Sequence, residues 1–216
     1  MQTSDLSDLI KSRRSIRRWL DKPVPTELLF QAIEIATHAP NAGNQQNWHF
    51  YVIVNKETIN AVADAVGETA EYVASWSNPA DPKDVSEMVR RSTFFRDAPA
   101  LIAIGAKAYR SALDVLAAGR PDTDSKANDI KAGRAVANAK IQSVASATAY
   151  LLLVLHQMGL GAVWMTGPMQ AKIGIEKVLK VPADMDLVAL IPVGYPAENP
   201  PLKERKPLDQ VCEVIK

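Results

Sequence analysis

Apolar residues recur every three to four positions in several stretches of the chain, which is the spacing of an amphipathic helix. The longest stretch, at residues 135–158, is rich in alanine and has a broad apolar stripe, which predicts a helix buried on more than one side. Pro40 and Gly159 end two of the helices, because proline cannot continue a helix and glycine is common just past one. The predicted helices cover residues 5–11, 26–38, 57–73, 135–158 and 170–179.

Short runs of β-branched and aromatic residues predict strands. The strongest run is WHFYVIV, and a second reads ALIAIG. Residues 111–134 are polar and show no period, so irregular structure is expected there. The predicted strands cover residues 48–54, 100–105, 162–165 and 187–193, with a final β-like segment at residues 210–215.

These elements predict one domain over residues 1–216, since no internal repeat or long linker interrupts the pattern. Residues 77–83, SNPADPK, form a polar loop with two prolines, and we expect the region through Phe95 to run over the surface. The Pro-rich passage from about residue 196 to residue 216 is too extended to bury itself. We therefore expect it to wrap a partner subunit.

The charge balance and the cysteine count argue against several classes of function. Lys and Arg number 25 against 24 Asp and Glu, which argues against a general nucleic-acid binder. Cys212 is the single cysteine, so no intrachain disulfide forms, and with three scattered histidines it makes no zinc site. The first residues lack the apolar core of a signal peptide, and no apolar stretch approaches the ~20 residues of a membrane span. We expect a soluble, cytoplasmic protein without metal, nucleic-acid or membrane partners.

The first candidate for chemistry is RRSIRR at residues 13–18. Its four guanidinium groups and one hydroxyl could hold a phosphate, because arginine binds phosphate through two charge-assisted hydrogen bonds at once. A second cationic cluster, KERK at residues 203–206, suggests that two distant segments close on one anion. Either cluster could also be a solvated basic surface.

The second candidate is the loop APNAGNQQNW at residues 39–48, between a predicted helix and a predicted strand. Its Asn and Gln side chains both donate and accept hydrogen bonds, as the pyrimidine edge of a flavin requires. The same residue types also form simple turns. Farther along, Gly167 follows a strand and precedes a helix, where the backbone can approach a ligand closely.

These motifs resemble, in order and spacing, those of the nitroreductase family of FMN enzymes. The likeness covers nearly the whole chain, through RRSIR, APNAGNQQNW, GAVWMTG, VGYP and KERKP. It implies an α+β fold in which helices flank a central, mostly antiparallel sheet. It also implies an intertwined homodimer with two FMN sites at the subunit interface, and a C-terminal extension that crosses to the partner's sheet.

The resemblance implies phosphate contacts for both cationic clusters. Arg13, Arg14 and Ser15 would bind the FMN phosphate and ribityl chain. Lys203 and Arg205 from the C-terminal extension would join them.

It also implies contacts to the flavin ring. Arg17 would lie near the pyrimidine, and Thr166 and Gly167 would place backbone amides near the flavin N5. Arg91 is the nearest candidate by position for the family's mid-chain polar contact to the pyrimidine.

The family's amide-rich loop is supplied by the other subunit of the dimer. Pro40 and Asn44 match this loop, and Asn41 stands where the family usually has serine.

The function that the resemblance implies is an FMN-dependent oxidoreductase. NADH or NADPH would deliver hydride to the flavin, and a nitroaromatic, quinone or similar oxidised substrate would then take its place. Solvent can supply the proton, so no catalytic acid or base is assigned. Residues 68–95 would form a lid that sets specificity, and its candidate aromatic side chains are Tyr72, Trp76, Phe94 and Phe95.

Several alternatives stay open. The same scaffold could support reductive dehalogenation, enone reduction or flavin fragmentation. Glu68 and Tyr72 are similar to the zwitterion-binding pair of the iodotyrosine deiodinases, although the lysine of that set has no clear counterpart here. A non-catalytic FMN carrier is a second class, and a basic patch that binds nucleic acid is a third.

Overall fold

A four-stranded sheet lies at the centre of the part of the chain that the structure, a computed structural model, describes: residues 3–76 and 84–216. Every neighbouring pair of its strands is antiparallel. The predicted, mostly antiparallel sheet is therefore confirmed. The strands are β1 (Trp48–Ile53), β2 (Ala100–Lys107), β3 (Gly161–Ala162) and β4 (Met185–Gly194), in the order β1-β2-β4-β3.

Eight α-helices accompany this sheet in the described residues. Capping side chains explain where two of them begin: Asn55 accepts a hydrogen bond from the amide of Thr58 (2.8 Å), and Asp84 accepts one from Glu87 (3.1 Å). Within the described ranges, no helix has both the length and the apolar character to cross a bilayer. The helices are α1 (Thr3–Ser12), α2 (Thr26–Ala36), α3 (Lys56–Ala74), α4 (Val85–Thr93), α5 (Ala112–Ala118), α6 (Ser125–Ala137), α7 (Ala139–Gln157) and α8 (Lys172–Leu179).

The strand β2 is apolar up to its last residue, the exposed Lys107, because helices cover the sheet on both faces. Side chains alternate across a strand, so Ile102 and Ile104 point to one face while Leu101 and Ala103 point to the other. The first face packs against α2 and α7, and the second packs against α3 and α8. All four side chains are completely buried.

The helix predicted over residues 135–158 is in fact two helices, α6 and α7. Asn138 separates them with a left-handed backbone (φ 40°), a conformation that asparagine tolerates better than most residues. Its side chain then caps α7 by accepting a hydrogen bond from the amide of Ile141 (3.2 Å). One asparagine within an apolar pattern is a weak signal, so the periodicity did not show the break.

The prediction of irregular structure over residues 111–134 is wrong, since α5 and α6 occupy most of this region. Ser111 caps the first helix and Asp124 caps the second. Arg134 donates two hydrogen bonds to Asp114 (2.6 and 2.8 Å), which tie the helices together and hold the pKa of Asp114 below its ordinary value. Both helices are short and keep apolar side chains exposed, so no buried stripe marks them in the sequence.

Two other predicted elements differ at the β3 end of the sheet. The strand predicted at residues 162–165 reduces to β3 and an isolated bridge between Met165 and Leu190. The helix predicted at residues 170–179 begins as the 3-10 turn Gly167–Ala171 and continues as α8.

The β-like segment predicted at residues 210–215 forms no strand within one chain. Leu208–Gln210 forms a 3-10 turn, and residues 211–216 join no strand of the described sheet. Every residue from 201 to 216 is exposed. A strand needs a neighbouring backbone to pair with, and this tail does not lie along a sheet edge of its own chain.

The region expected to run over the surface only partly does so. Phe95 is completely buried among the residues that pack between α3 and the sheet, so this expectation is wrong for Phe95. Burying a phenylalanine side chain stabilises a fold by about 1.5–3 kcal/mol, which favours a position in the core for Phe95. The Pro-containing loop predicted at residues 77–83 lies outside the described residues.

Candidate functional site

The RRSIR motif runs beside β3, at the edge of the sheet. The amide of Ile16 donates to the carbonyl of Ala162 (3.1 Å), and Ser15 forms a parallel bridge with the same residue. A Cβ atom on Gly161 would lie 2.8 Å from the Ile16 side chain, so only glycine permits this close approach. Ile16 is buried while Arg17 is exposed, so the apolar residue anchors the motif and leaves the guanidinium accessible to a ligand.

Glu198 anchors the other end of the motif. Its Oε1 atom accepts hydrogen bonds from the backbone amides of Arg17 (2.5 Å) and Arg18 (3.2 Å). Close by, the amide of Leu20 donates to the carbonyl of Tyr195 (2.9 Å). Sequence reasoning missed Glu198, because it lies about 180 residues from its partners, and only its place just after the VGYP motif offered a hint.

The two cationic clusters meet at one cavity of about 250 Å³, which we call the phosphate cavity. All five residues predicted to bind phosphate and ribityl line it, together with Arg17. Among the described residues, none of those lining it is acidic. Its walls are formed by Arg13, Arg14, Ser15 and Arg17 from the motif and by Pro200, Pro201, Leu202, Lys203 and Arg205 from the tail.

Arg14 carries an unsatisfied donor in this cavity wall. One of its terminal nitrogens donates to the backbone carbonyls of Lys11 (2.6 Å) and Arg13 (2.9 Å). Its Nε is buried and has no hydrogen-bond partner. A buried donor without an acceptor costs about 1–3 kcal/mol, so an anion at this place would remove a penalty that the fold otherwise carries.

Positive charge accumulates around the phosphate cavity. Burial, together with the neighbouring charges of Arg205 and Arg14, holds the pKa of Arg13 below its ordinary value. Burial also lowers the pKa of His156 on α7, and Arg13 and Arg14 lower it further. The His156 Nε2 atom lies 3.0 Å from the hydroxyl of Ser12 at the end of α1. Sequence reasoning did not single out His156, which the fold brings to the cluster from far along the chain.

A second cavity of about 380 Å³, which we call the ring cavity, adjoins the first at Arg17, which lines both. The predicted N5 contacts, Thr166 and Gly167, line it. Their backbone amides donate no hydrogen bond to any described residue. The backbone just before them is fixed by the paired hydrogen bonds of Met165 and Leu190 (2.9 and 3.0 Å). Arg91, Phe94 and Trp164 complete much of the wall.

An aromatic pair supports this wall. Trp19 stacks on Phe94 with the ring centres 6.3 Å apart and the planes within 8°. The indole of Trp19 also donates to the carbonyl of Gly161 (2.9 Å). The RRSIR motif and the ring cavity are therefore held by one connected set of contacts, and Trp19 is a further residue that sequence reasoning missed.

The predicted Pro40–Asn44 loop lies elsewhere. Pro40 and Asn41 line a third cavity, of about 470 Å³, with residues of α7, and it shares no lining residue with the other two. Asn41 accepts a hydrogen bond from the amide of Gln46 (3.0 Å), and Asn44 is exposed with a left-handed backbone (φ 50°). Within one chain, the structure therefore does not bring these residues to the phosphate cavity or the ring cavity.

Of the four aromatic residues predicted for a lid, only Phe94 lines the ring cavity. Tyr72 and Trp76 are exposed and contact each other edge to face, with ring centres 5.4 Å apart. Glu68 and Tyr72, the pair similar to that of the deiodinases, do not line the cavity, whereas Arg91 does.

Comparison with known proteins agrees with this geometry. The family model described as the nitroreductase family matches residues 10–195. The chain belongs to the nitroreductase family. It is thus a nitroreductase-family flavoenzyme, and the match spans the RRSIR motif, the sheet and the VGYP segment.

The names of individual relatives describe different activities. A putative NADH dehydrogenase/NAD(P)H nitroreductase of Methanothermobacter thermautotrophicus is 29% identical over 91% of this chain and 80% of that protein. An iodotyrosine deiodinase of Thermotoga neapolitana is 28% identical over 91% of each. The solved structure of a BluB-like flavoprotein from Clostridium difficile 630 superimposes over all of both chains with a TM-score of 0.81 and 25% identity. The nitroreductase-like fold is therefore shown, while the reaction differs among the relatives.

Proposed function

We propose that this nitroreductase-family protein is an FMN-dependent oxidoreductase that passes two electrons from NADH or NADPH to a nitroaromatic, quinone or similar oxidised organic substrate. The observation that carries the proposal is the pair of adjoining cavities, one lined by cationic side chains and one by polar and aromatic residues, joined at Arg17. FMN has the matching parts, a phosphate at one end and a flat polar-edged ring system at the other. Similarity to a flavoprotein over the whole chain supports the same cofactor class.

At the phosphate end, Arg13, Arg14 and Ser15 would hold the FMN phosphate and ribityl chain together with Lys203 and Arg205. Two features support this assignment. The buried Nε of Arg14 lacks an acceptor, and a phosphate oxygen would supply one. The mutual repulsion of Arg13, Arg14 and Arg205 would also be offset by a dianion. An acidic wall would argue against phosphate, and none of the described lining residues is acidic.

At the ring end, Arg17 would lie near the flavin pyrimidine, and the amides of Thr166 and Gly167 would face N5. The free amides of Thr166 and Gly167 suit an acceptor atom of the ring. The guanidinium of Arg17 would favour reduction, because fixed positive charge stabilises negative charge that develops close by. When bound, FMN would accept a hydride equivalent from the nicotinamide and pass it to the oxidised substrate.

The net reaction balances without a side-chain acid. For a nitro substrate, ArNO2 + NAD(P)H + H⁺ gives ArNO + NAD(P)⁺ + H2O, in which the nicotinamide is oxidised by two electrons and the nitro group is reduced by two. Solvent would supply the proton. The chain's residues would therefore contribute binding, orientation and electrostatics, and no catalytic acid or base is assigned.

We also propose that the working unit is a homodimer in which Pro40, Asn41 and Asn44 from the partner subunit complete each FMN site. Two observations support it. The loop that carries these residues opens to a cavity separate from the other two. The tail exposes apolar side chains that a second copy could cover: Leu208 is 74% exposed, Val214 76% and Ile215 92%.

An absorbance spectrum of the purified protein tests the cofactor. We expect bands at about 370 and 450 nm that bleach when NADPH or NADH is added without oxygen, because a bound flavin is then reduced. The nucleotide that bleaches them identifies the donor. A colourless protein that cannot be reconstituted with FMN would contradict the proposal.

Replacing Arg17 with alanine tests its role at the ring. Loss of the guanidinium should lower the reduction potential of the bound flavin, measured by equilibration with redox dyes. Arg18→Ala is the matched control, because the neighbouring Arg18 lines neither cavity and should leave the potential unchanged. An unchanged potential in Arg17→Ala would remove this role.

Reductive dehalogenation is a second candidate, favoured by the 28% identity to an iodotyrosine deiodinase over 91% of each chain. Here a halogenated aromatic would exchange its halogen for hydrogen: ArI + NAD(P)H gives ArH + NAD(P)⁺ + I⁻. Turnover on a panel of 3-iodotyrosine, nitroaromatics and quinones separates the two candidates. Iodide release faster than nitro or quinone reduction would favour dehalogenation.

A further inference from the structure

The ring cavity has an anion-binding character that FMN alone does not account for. Two guanidinium groups line it, Arg17 at its boundary with the phosphate cavity and Arg91 on α4. Among the described residues, none of those lining it is acidic. The proposed function assigns Arg17 to the flavin. Arg91, which the resemblance matched to a second pyrimidine contact only by its position, has no ligand in that proposal.

The side chain of Arg91 is largely exposed and pairs with one carboxylate. Its Nε donates to Oε1 of Glu87 one helical turn earlier (2.5 Å), and Arg90 donates to both oxygens of the same carboxylate. These bonds hold the pKa of Glu87 below its ordinary value, so the carboxylate stays ionised. Two guanidinium groups share one negative charge, and a net positive charge remains. Arginine has five N–H donors, so the terminal nitrogens of Arg91 stay available to a ligand.

The cavity around Arg91 suits an aromatic molecule. Phe94 and Trp164 line the same cavity, and Phe94 is supported from behind by the stacked ring of Trp19. Aromatic walls bind flat rings well, and a guanidinium binds a carboxylate through two hydrogen bonds at once. A ligand with both groups would satisfy both parts of the wall.

We propose that Arg91 binds the carboxylate of the electron acceptor, so that the enzyme prefers anionic aromatic acceptors to neutral ones of the same shape. This inference rests on the proposed flavin-dependent reduction. The proposed site suits a simple anion better than a zwitterion. An ammonium group would need an acidic partner, and Glu68 does not line this cavity among the described residues.

The test compares 4-nitrobenzoate with 4-nitrobenzamide, which have nearly the same shape and differ in charge. We expect the native holoprotein to prefer the anion in kcat/KM, and Arg91→Gln to lower that preference about tenfold, as expected for one charge-assisted pair. Arg90→Gln is the matched control. Arg90 bonds to the same Glu87 but does not line the cavity, so the preference should persist.

A binding measurement separates recognition from turnover. Benzoate and benzamide cannot be reduced here, so each can be titrated into the oxidised holoprotein while the flavin absorbance is followed. Benzoate should bind more tightly than benzamide, and Arg91→Gln should remove most of the difference. Equal binding of the two ligands by the native protein would overturn the inference.

Two further results would also overturn it. If Arg91→Gln leaves the benzoate preference intact but shifts the flavin potential, Arg91 contacts the flavin instead. If Arg91→Gln weakens the binding of NADPH but not that of NADH, Arg91 binds the phosphate of the donor. Failure of the proposed function looks different, since a protein that binds no flavin would reduce neither acceptor and show no flavin absorbance to titrate.

Discussion

Two cationic segments line the phosphate cavity, but the chain holds them in different ways. In the first, residues 13–18, Ile16 is buried, and the backbone bonds to Ala162 of β3 and to the side chain of Glu198. The second, residues 203–206, lies within a tail in which every residue from 201 to 216 is exposed. Both are cationic, with four positive charges in the first and a net charge of +2 in the second. Only the first is part of the chain's own packed structure.

This difference shows which part of the site one chain can build alone. Backbone hydrogen bonds and a buried side chain position the first segment whether or not a ligand is bound. No residue of the tail from 201 to 216 is buried by its own chain, and Leu208, Val214 and Ile215 are largely exposed. We therefore expect the position of Lys203 and Arg205 to depend on a second copy that covers those side chains.

Deletion of the tail should have the largest effect on FMN binding and on assembly. Deleting residues 202–216 should convert the proposed dimer to a monomer and weaken FMN binding more than about 100-fold, because two phosphate-binding cations leave together. The remaining chain should keep its secondary structure, since every residue of the tail from 201 to 216 is exposed. Light scattering after gel filtration, FMN titration and circular dichroism check these expectations. A shortened protein that remains dimeric would show that the tail does not hold the subunits together.

Arg14→Ala tests the contribution of the first, packed segment to FMN binding. We expect about 30- to 100-fold weaker FMN binding, because each hydrogen bond to a charged group contributes about 1.5–3 kcal/mol. Lys206→Gln is the control, since Lys206 carries a charge in the tail cluster but does not line the cavity. Fluorescence titration with FMN measures both. Equal losses in the two variants would mean that net charge, rather than the cavity, determines affinity.

Glu198 tests whether the anchoring of the first segment matters. Glu198→Ala removes the acceptor for the amides of Arg17 and Arg18, and FMN affinity should fall about tenfold, since one or two hydrogen bonds are lost. Glu198→Gln should restore most of it, because the amide oxygen can still accept. The flavin potential should shift in the alanine variant and recover in the glutamine variant. Equal behaviour of the two variants would show that the carboxylate charge matters and the backbone contact does not.

The smallest expected effect is a pH dependence at His156. Burial, Arg13 and Arg14 lower its pKa in the fold, so as the pH falls the unfolded chain takes up a proton first. Stability is therefore fully present above the ordinary pKa of 6.5 and is lost as the pH falls through the lower, folded pKa. Without FMN, His156→Gln should lose less stability than the native protein between about pH 7 and 5, by a Tm difference on the order of 1–2 °C.

Measurements with FMN and with a control variant test whether the arginine cluster causes this pH dependence. A bound phosphate would offset the charges of Arg13 and Arg14 and raise the pKa of His156, so the difference should shrink when FMN is present. The control is His38→Gln, an exposed histidine just beyond α2. The Tm of all three proteins is measured by thermal unfolding at several pH values. The same pH profile for His156→Gln and the native protein would contradict the role of the arginine cluster.

Much of the fold could be predicted because its signals are local. The runs WHFYVIV and ALIAIG became β1 and β2, and the alanine-rich stripe became α7 in the core. The elements that were mispredicted depend on distant or single contacts. The bond between Asp114 and Arg134 ties α5 to α6, and one left-handed residue, Asn138, divides α6 from α7.

The residues alone show which segments could carry chemistry, because the charges of RRSIRR and KERK and the amides of the 39–48 loop do not depend on the fold. Which of these segments meet depends on the packing of the whole chain. It placed Lys203 and Arg205 beside Arg13 and left Pro40 and Asn41 at a separate cavity. It also supplied Glu198 and His156, whose partners lie 140 or more residues away along the chain. Contacts over such distances follow from how helices and strands pack against one sheet, and no local pattern of polar and apolar residues records them.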